Sequence, residues 1–356
     1  MKKEKQKDRE DRQICIVFAT ALLACALLTG CGAAKEDNLS QGIALVEQMD
    51  YEGALTCFEA AALNKEDMRQ VYRGQGLAYM GMTDYENAAA SFEKALGQSS
   101  PRPDAMDYDI NYYLATAYYR NGQVDKAIHV YQAITDLKPG EKTAWYLKGT
   151  MELEQGSTDA AKADFDKAVE AAPNDYDIRI DIFCSCSKYG QDDLGKSYLE
   201  NVLDGDGKRI SDFDLGRISY YLGDYEQART SLEKAQENGG AEAASLLGQT
   251  YEALGDYNYA ASVYNTYLQN KTPDASLYNQ LGLCKLKGGD YEAALAAFQA
   301  GLVEGNTATQ SLMFNELVAY EYLGQYDKAK LAMDQYLALY PDDEKAQREA
   351  VFLQTR

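Results

Sequence analysis

The chain has 356 residues, with 35 Lys and Arg against 56 Asp and Glu, giving a formal charge of −21 and a sequence pI near 4.5. A single His, His129, excludes any centre needing two imidazoles, such as an H-E-x-x-H zinc hydrolase, and the acidic balance excludes wrapping of nucleic acid, which needs clustered Lys and Arg. At 46% hydrophobic, with 29 Tyr and only 6 Pro, the composition is that of a folded chain of long helices with aromatic packing.

Residues 2–12 carry a net charge of +2 and lead into an uncharged stretch, Ile14 to Thr29, built on Ile16, Val17, Phe18, Leu22, Leu23, Leu27 and Leu28. This stretch is short of the roughly twenty residues a membrane span wants. A basic start, a short apolar core and a small-residue exit describe a secretory signal over residues 1–30. The exit, Leu28-Thr29-Gly30-Cys31-Gly32, resembles the lipobox of bacterial lipoproteins. That resemblance implies cleavage before Cys31 and a diacylglycerol on its thiol, the alternative being an uncleaved anchor in which Cys31 is a bystander. Cleavage would leave −23 on the mature chain, a body that an anionic bilayer repels beyond a screening length of about 10 Å. A lipid tether at the extracytoplasmic side of a bacterial membrane, with residues 31–35 as lipidated terminus and short linker, is the consistent expectation.

From Leu39 onward one phrase recurs. It reads Asp50-Tyr51-Glu52-Gly53-Ala54, Asp84-Tyr85-Glu86-Asn87-Ala88, Asp224-Tyr225-Glu226-Gln227-Ala228, Asp256-Tyr257-Asn258-Tyr259-Ala260, Asp290-Tyr291-Glu292-Ala293-Ala294 and Gln325-Tyr326-Asp327-Lys328-Ala329, with weaker copies ending at Ala127 and Ala161. Twelve residues before the final Ala stands a tiny residue (Gly42, Gly76, Ala115, Gly149, Gly216, Gly248, Gly282). Four residues after it stands a large one (Phe58, Phe92, Tyr131, Phe165, Leu232, Tyr264, Phe298, Met333). The pattern predicts pairs of short amphipathic helices in which the tiny residue admits the partner helix and the large one fills the gap opposite. Asp before Tyr serves as N-cap, the following Glu complements the positive helix end, Gly223, Gly255, Gly289 and Gly324 stop the preceding helix, and Pro139, Pro173 and Pro341 end the second helix.

This pattern resembles the tetratricopeptide repeat, with Trp145 in the early aromatic slot. The resemblance covers residues 36–341 and implies an all-α fold, a right-handed α-α superhelix of about nine helix-turn-helix units, with residues 342–356 as a C-terminal capping helix. The unit near 176–209 departs from the pattern: Phe183 replaces the tiny residue, Gly195 replaces the Ala, and Asp204-Gly205-Asp206-Gly207 follows. It reads as a distorted repeat and a candidate bend, where local fraying is expected. The extra residues Ser99 to Pro103 predict a looser connection.

Sites for chemistry are nearly absent. Cys57 and Cys284 read as small buried fillers, and Cys184 and Cys186, two apart on a helix, point about 200° around its axis and cannot readily chelate together. Residues 204–214 fail as a calcium loop because Arg209 stands where Gly is required. No phosphate loop or nucleophile elbow appears, and His129 reads as exposed. No catalytic residue, metal or cofactor is expected. The family resemblance implies a ligand-binding concave side lined by the first helix of each unit. Carried over position by position, its groove residues are Tyr112, Thr116, Tyr119, Arg120, Tyr146, Thr150, Arg217, Tyr220, Tyr221, Asn279, Phe314 and Tyr322. Many of these Tyr could equally pack between helices. The family's lysine- and asparagine-based clamp for a peptide carboxylate is not reproduced. Two functions follow as expectations: a non-catalytic scaffold for a protein or peptide partner, favouring a basic one, or a lipoprotein that binds solutes or glycans on stacked tyrosines.

Overall fold

The computed structural model describes residues 37–204, 210–235, 240–270, 273–304 and 309–356. The leader, Cys31 and most of the Asp-Gly tail lie outside the described residues. Within them all secondary structure is helical, in nineteen helices. The chain divides after Asn201 into two units. The first holds α1 (Asn38–Glu47), α2 (Tyr51–Leu63), α3 (Met68–Gly81), α4 (Tyr85–Leu96), α5 (Ala105–Arg120), α6 (Val124–Leu137), α7 (Lys142–Glu154), α8 (Thr158–Ala171), α9 (Tyr176–Lys188) and α10 (Asp192–Leu203), whose last residues cross the division. The second holds α11 (Asp212–Leu222), α12 (Tyr225–Ala235), α13 (Ala241–Ala253), α14 (Tyr257–Asn270), α15 (Ala275–Lys287), α16 (Tyr291–Glu304), α17 (Thr309–Tyr322), α18 (Tyr326–Leu339) and a closing α19 (Glu344–Leu353). Odd and even helices pair as hairpins, and in each unit neighbouring hairpins stack to form an α-α solenoid.

Each hairpin closes on the notch read in the sequence. A β-carbon on Gly248 would stand 2.2 Å from the Tyr264 ring, and one on Gly282 would stand 2.3 Å from Phe298. The receiving rings, Phe58, Phe92, Phe165, Tyr264 and Phe298, are fully buried. In the fifth hairpin Phe183 fills the tiny slot and Gly195 the Ala slot, where a β-carbon would come 2.9 Å from Cys186 Cβ and 3.1 Å from the Phe183 backbone, while Leu199 in the large slot is fully buried.

The helix ends follow from local chemistry. Asp50, Asp84, Asp224 and Asp290 accept the backbone N–H three residues on, at 3.0, 3.2, 3.1 and 3.3 Å. Gln123, Ser157 and Gln325 occupy the same place without a side-chain cap bond. Helices α6, α8 and α18 each stop two residues before Pro139, Pro173 and Pro341. The intervening Lys138, Ala172 and Tyr340 are pushed out of helical geometry by the proline ring that follows. Among the described residues seven turns place Gly at φ between 68° and 86°, whereas the first turns place Met49, Lys65 and Thr83 at φ of 62°, 56° and 60°.

The connection at Ser99 to Pro103 is pinned, contrary to the looseness expected from its length. Arg69 forks onto both Asp104 oxygens at 2.6 and 2.7 Å and reaches Asp107 at 2.5 Å. The Ser99 hydroxyl donates to Asp107, and Ser100 donates to the Arg102 carbonyl at 2.8 Å. Buried Asp107 supplies the reason, since its charge needs these donors. Cys284 and Cys186 are buried, while Cys57, expected buried, is half-buried. At the C-terminal end, Ala346 and Leu353 of α19 join Leu317, Met333 and Tyr336 in one buried cluster.

Candidate functional site

All twelve groove residues implied by the sequence lie on odd-numbered helices. In an α-helix their neighbours one turn away share a face, and a neighbouring first helix brings the same face about one repeat further along the chain. Polar side chains use that register as a ladder. In the first unit Arg73 donates to Asp109 at 2.6 Å from α3 to α5, and Tyr119 donates to Glu154 Oε2 at 2.7 Å from α5 to α7. The Tyr146 hydroxyl meets Ser185 Oγ at 2.9 Å, and Lys142 pairs with Asp175. Tyr189 returns a hydrogen bond of 2.9 Å to the same Glu154 oxygen that Tyr119 uses. In the second unit Tyr220 donates to Gln249 at 3.3 Å, Lys287 to Glu252 at 2.8 Å and Asn315 to Asn279 at 2.8 Å.

The positions differ in what they leave available. The Thr116 and Thr150 hydroxyls donate to the Tyr112 and Tyr146 carbonyls at 2.9 Å, so they are engaged with their own helices. The Tyr112 ring packs 5.9 Å from Tyr131, and burial, reinforced by Glu141, raises its phenol above the ordinary range. Tyr146 packs 6.2 Å from Phe165, and burial raises its phenol, with Asp181 adding to the shift. The Arg217 side chain, 12% exposed, lies 5.1 Å over Phe213 and within 4 Å of Asp214 and Glu242. Tyr220 meets Tyr221 edge-on at 5.5 Å and Tyr225 at 5.7 Å. Phe314 is edge-on to Tyr336 at 5.6 Å, with the Lys345 ammonium of α19 4.3 Å above it, so α19 covers it. Arg120 is exposed at the end of α5. Tyr322 is 57% exposed and stacks on Tyr291 at 4.9 Å.

The structure therefore separates wall from surface. Tyr112, Thr116, Tyr146, Thr150 and Phe314 build the wall; Arg120 and Tyr322 are exposed at helix ends, and Tyr119 is half-buried and tied to Glu154. Arg69, Arg73, Glu154, Tyr189, Glu252 and Lys287 complete the ladder and were not singled out from sequence. A 35-residue spacing marks them, in 119, 154 and 189 and again in 252, 287 and 322. The electrostatics agree with structural ties at one rung: the Arg69 guanidinium holds the Asp104 carboxyl well below the usual carboxylate range. Among the described residues no group of three or more His, Cys, Asp and Glu could hold a metal ion, and no helix is long and apolar enough to cross a membrane. Burial pushes the Cys186 thiol up to about 12, which leaves it a neutral filler.

Comparison with known proteins gives the same repeat. The chain is 23% identical over 222 residues to TPR repeat-containing protein YpiA of Bacillus subtilis (strain 168), a match covering 60% of this chain and 52% of that protein, so the chain spans about half the length of this curated relative. A tetratricopeptide repeat protein of Parabacteroides merdae has a solved structure 14% identical to this chain, at a TM-score of 0.45 over 71% of this chain and 99% of that one. The pilF protein of Pseudomonas aeruginosa is 18% identical at a TM-score of 0.40, over 59% of this chain and 96% of that one. Tetratricopeptide repeat models match residues 39–103, 112–176, 213–275, 247–309 and 318–343. With its notched hairpins and more than half its length so matched, the chain belongs to the tetratricopeptide repeat family.

Proposed function

We propose that this protein is a non-catalytic interaction scaffold, tethered through lipid on Cys31 to the extracytoplasmic face of a bacterial membrane, that docks a basic protein or peptide partner on its first-helix faces. One observation carries the reading: the odd helices of the first unit present tyrosines and carboxylates already ordered by repeat-to-repeat hydrogen bonds. Ordered aromatic and acidic side chains lose little entropy when a partner docks, and on a chain of charge −21 they favour a cationic one. The basic leader, short apolar core and Leu28-Thr29-Gly30-Cys31 exit support the tether.

Two experiments test this. Cys31→Ser should abolish incorporation of radiolabelled fatty acid and release the protein from the membrane fraction; retention of both sinks the tether. Cross-linking on intact cells should capture a basic partner, and a Tyr119→Ala, Tyr220→Ala variant should capture less of it. Undiminished capture removes the docking surface from these helices.

A glycan- or solute-binding role has its own support in the exposed rings of Tyr322, stacked on Tyr291, and Tyr259, stacked 5.4 Å from Tyr251. Ionic strength discriminates. Binding to a basic partner weakens steeply with salt, and stacking of a neutral sugar does not.

A further inference from the structure

Resting on the lipid tether proposed at Cys31, we infer that one edge of the first unit, formed by the carboxyl ends of α2, α4 and α6, is a seat on the surface of the bilayer that holds the anchor. All three helices end on leucine, at Leu63, Leu96 and Leu137. Leu63 is 85% exposed and Leu137 61%, while Leu96 is half-buried. One exposed leucine is ordinary, but leucines at the same end of three successive second helices line an edge. A cleft beside Leu137 carries the apolar surface inward past Leu96, Pro103, Tyr108 and Ile134.

The tether leaves from this same edge. Asn38 Nδ2 and the Leu39 N–H, at the start of α1, donate to the Glu66 carboxylate at 3.2 and 3.0 Å, and Glu66 lies in the turn just past Leu63. Six residues, Gly32 to Asp37, separate Cys31 from α1. Whatever their conformation, they reach no further than about 20 Å. With acyl chains on Cys31 in the bilayer, the start of α1 and the end of α2 stay within that distance of the lipid.

Charge sets the same orientation. On the leucine edge, exposed Lys65, Arg102 and Lys138 balance Asp67, Asp104 and Asp136. At the opposite edge, where the second helices begin, exposed Glu47, Asp50, Glu52, Glu86 and Asp125 outnumber Arg120 and Lys126. An anionic headgroup layer repels the acidic edge within a screening length of about 10 Å and lets the balanced one approach. Met49 and Met82 are also exposed, but they stand on the acidic edge. The single tryptophan belongs to the seat: Trp145 Nε1 donates to the Pro139 carbonyl at 2.8 Å, in the turn that follows Leu137. An indole there suits the boundary between headgroups and water. The seat is made of helix ends, so it does not compete with the first-helix faces for a basic partner.

Trp145 also reports the contact. The full-length chain, made in a bacterial host that acylates lipoproteins, is added to vesicles of phosphatidylcholine and phosphatidylglycerol, with or without a lipid carrying a nitroxide on its headgroup. Flotation reads the tether and Trp145 fluorescence reads the seat. The unaltered chain should float, and the nitroxide lipid should quench its emission. A Leu63→Gln, Leu137→Gln variant should float equally well and lose most of the quenching. A Met49→Gln, Met82→Gln variant, altered on the opposite edge, should keep it. All four side chains are exposed, so the folding risk is small, and circular dichroism checks helix content. Quenching that persists in the leucine variant, or that is absent from a floating unaltered chain, overturns the seat and leaves the tether standing. Equal loss in the methionine variant overturns the choice of edge, and an unaltered chain that does not float overturns tether and seat together.

Discussion

A β-carbon added at Gly248 would meet two ring carbons and the phenol oxygen of Tyr264 between 2.2 and 2.5 Å, and that side chain is fully buried. Overpacking of this kind costs about 1–3 kcal/mol, more than the roughly 1 kcal/mol of helix propensity that Ala gains over Gly. Gly248→Ala should therefore lower stability in urea unfolding. Gly288→Ala, where the nearest atom is 3.4 Å away in ordinary helical backbone, should hold or raise it. If the two variants behave alike, the notch is not what sets the helix separation. A second residue-scale effect depends on pH. Burial, reinforced by Glu349, pushes the Glu321 carboxyl up to about 7 from an ordinary value of 4.5. Below the lower value both folded and unfolded chains hold the proton; between the two only the folded chain does. Stability should therefore fall as pH rises through that window. Melting curves from about pH 5 to about pH 8 should show this slope, and Glu321→Gln should flatten it. Parallel curves for the two proteins would remove Glu321 as the cause.

At the scale of the helix, α19 differs from all others in having no hairpin mate. It buries Ala346 and Leu353 against Leu317, Met333 and Tyr336, and its N-cap Asp343 also accepts the Tyr336 hydroxyl at 2.6 Å. An unpaired helix of this kind shields the apolar face of the hairpin before it. Truncation after Pro341 should remove hydrogen-exchange protection from α17 and α18 while leaving α11 and α12 as they were; unchanged protection in α17 would show that the cap is dispensable. The existence of these helices and their ends was readable from sequence because each is specified locally, by Asp, Gly, Pro and a tiny-to-large spacing. The Ser99 to Pro103 connection misled because its tether, Arg69, lies a full repeat away. For the same reason the Glu154 rung escaped notice: a carboxylate near a helix end is unremarkable until stacking brings Tyr119 and Tyr189 onto one of its oxygens. The tyrosines carried over as groove residues divide into wall and surface only once burial is known, since the spelling is the same for both.

Over the molecule as a whole, stability is distributed. Phe92 is buried within a cluster of the first unit and Phe298 within one of the second, so no single core serves the chain. Phe92→Ala and Phe298→Ala should each cost about 3–5 kcal/mol locally, with hydrogen-exchange protection lost around the altered hairpin first. Uniform loss along all the helices from either change would mean the chain folds as one cooperative body. The backbone at Met49, Lys65 and Thr83 has a further consequence. These three side chains occupy left-handed conformations that cost roughly 1–2 kcal/mol each, and all are solvent-facing. Later turns solve the same geometry with Gly, so the amino-terminal end could be hardened by copying them. Thr83→Gly should raise the melting temperature of the first hairpins, and a protein toughened in this way would keep every side chain with which it greets another molecule.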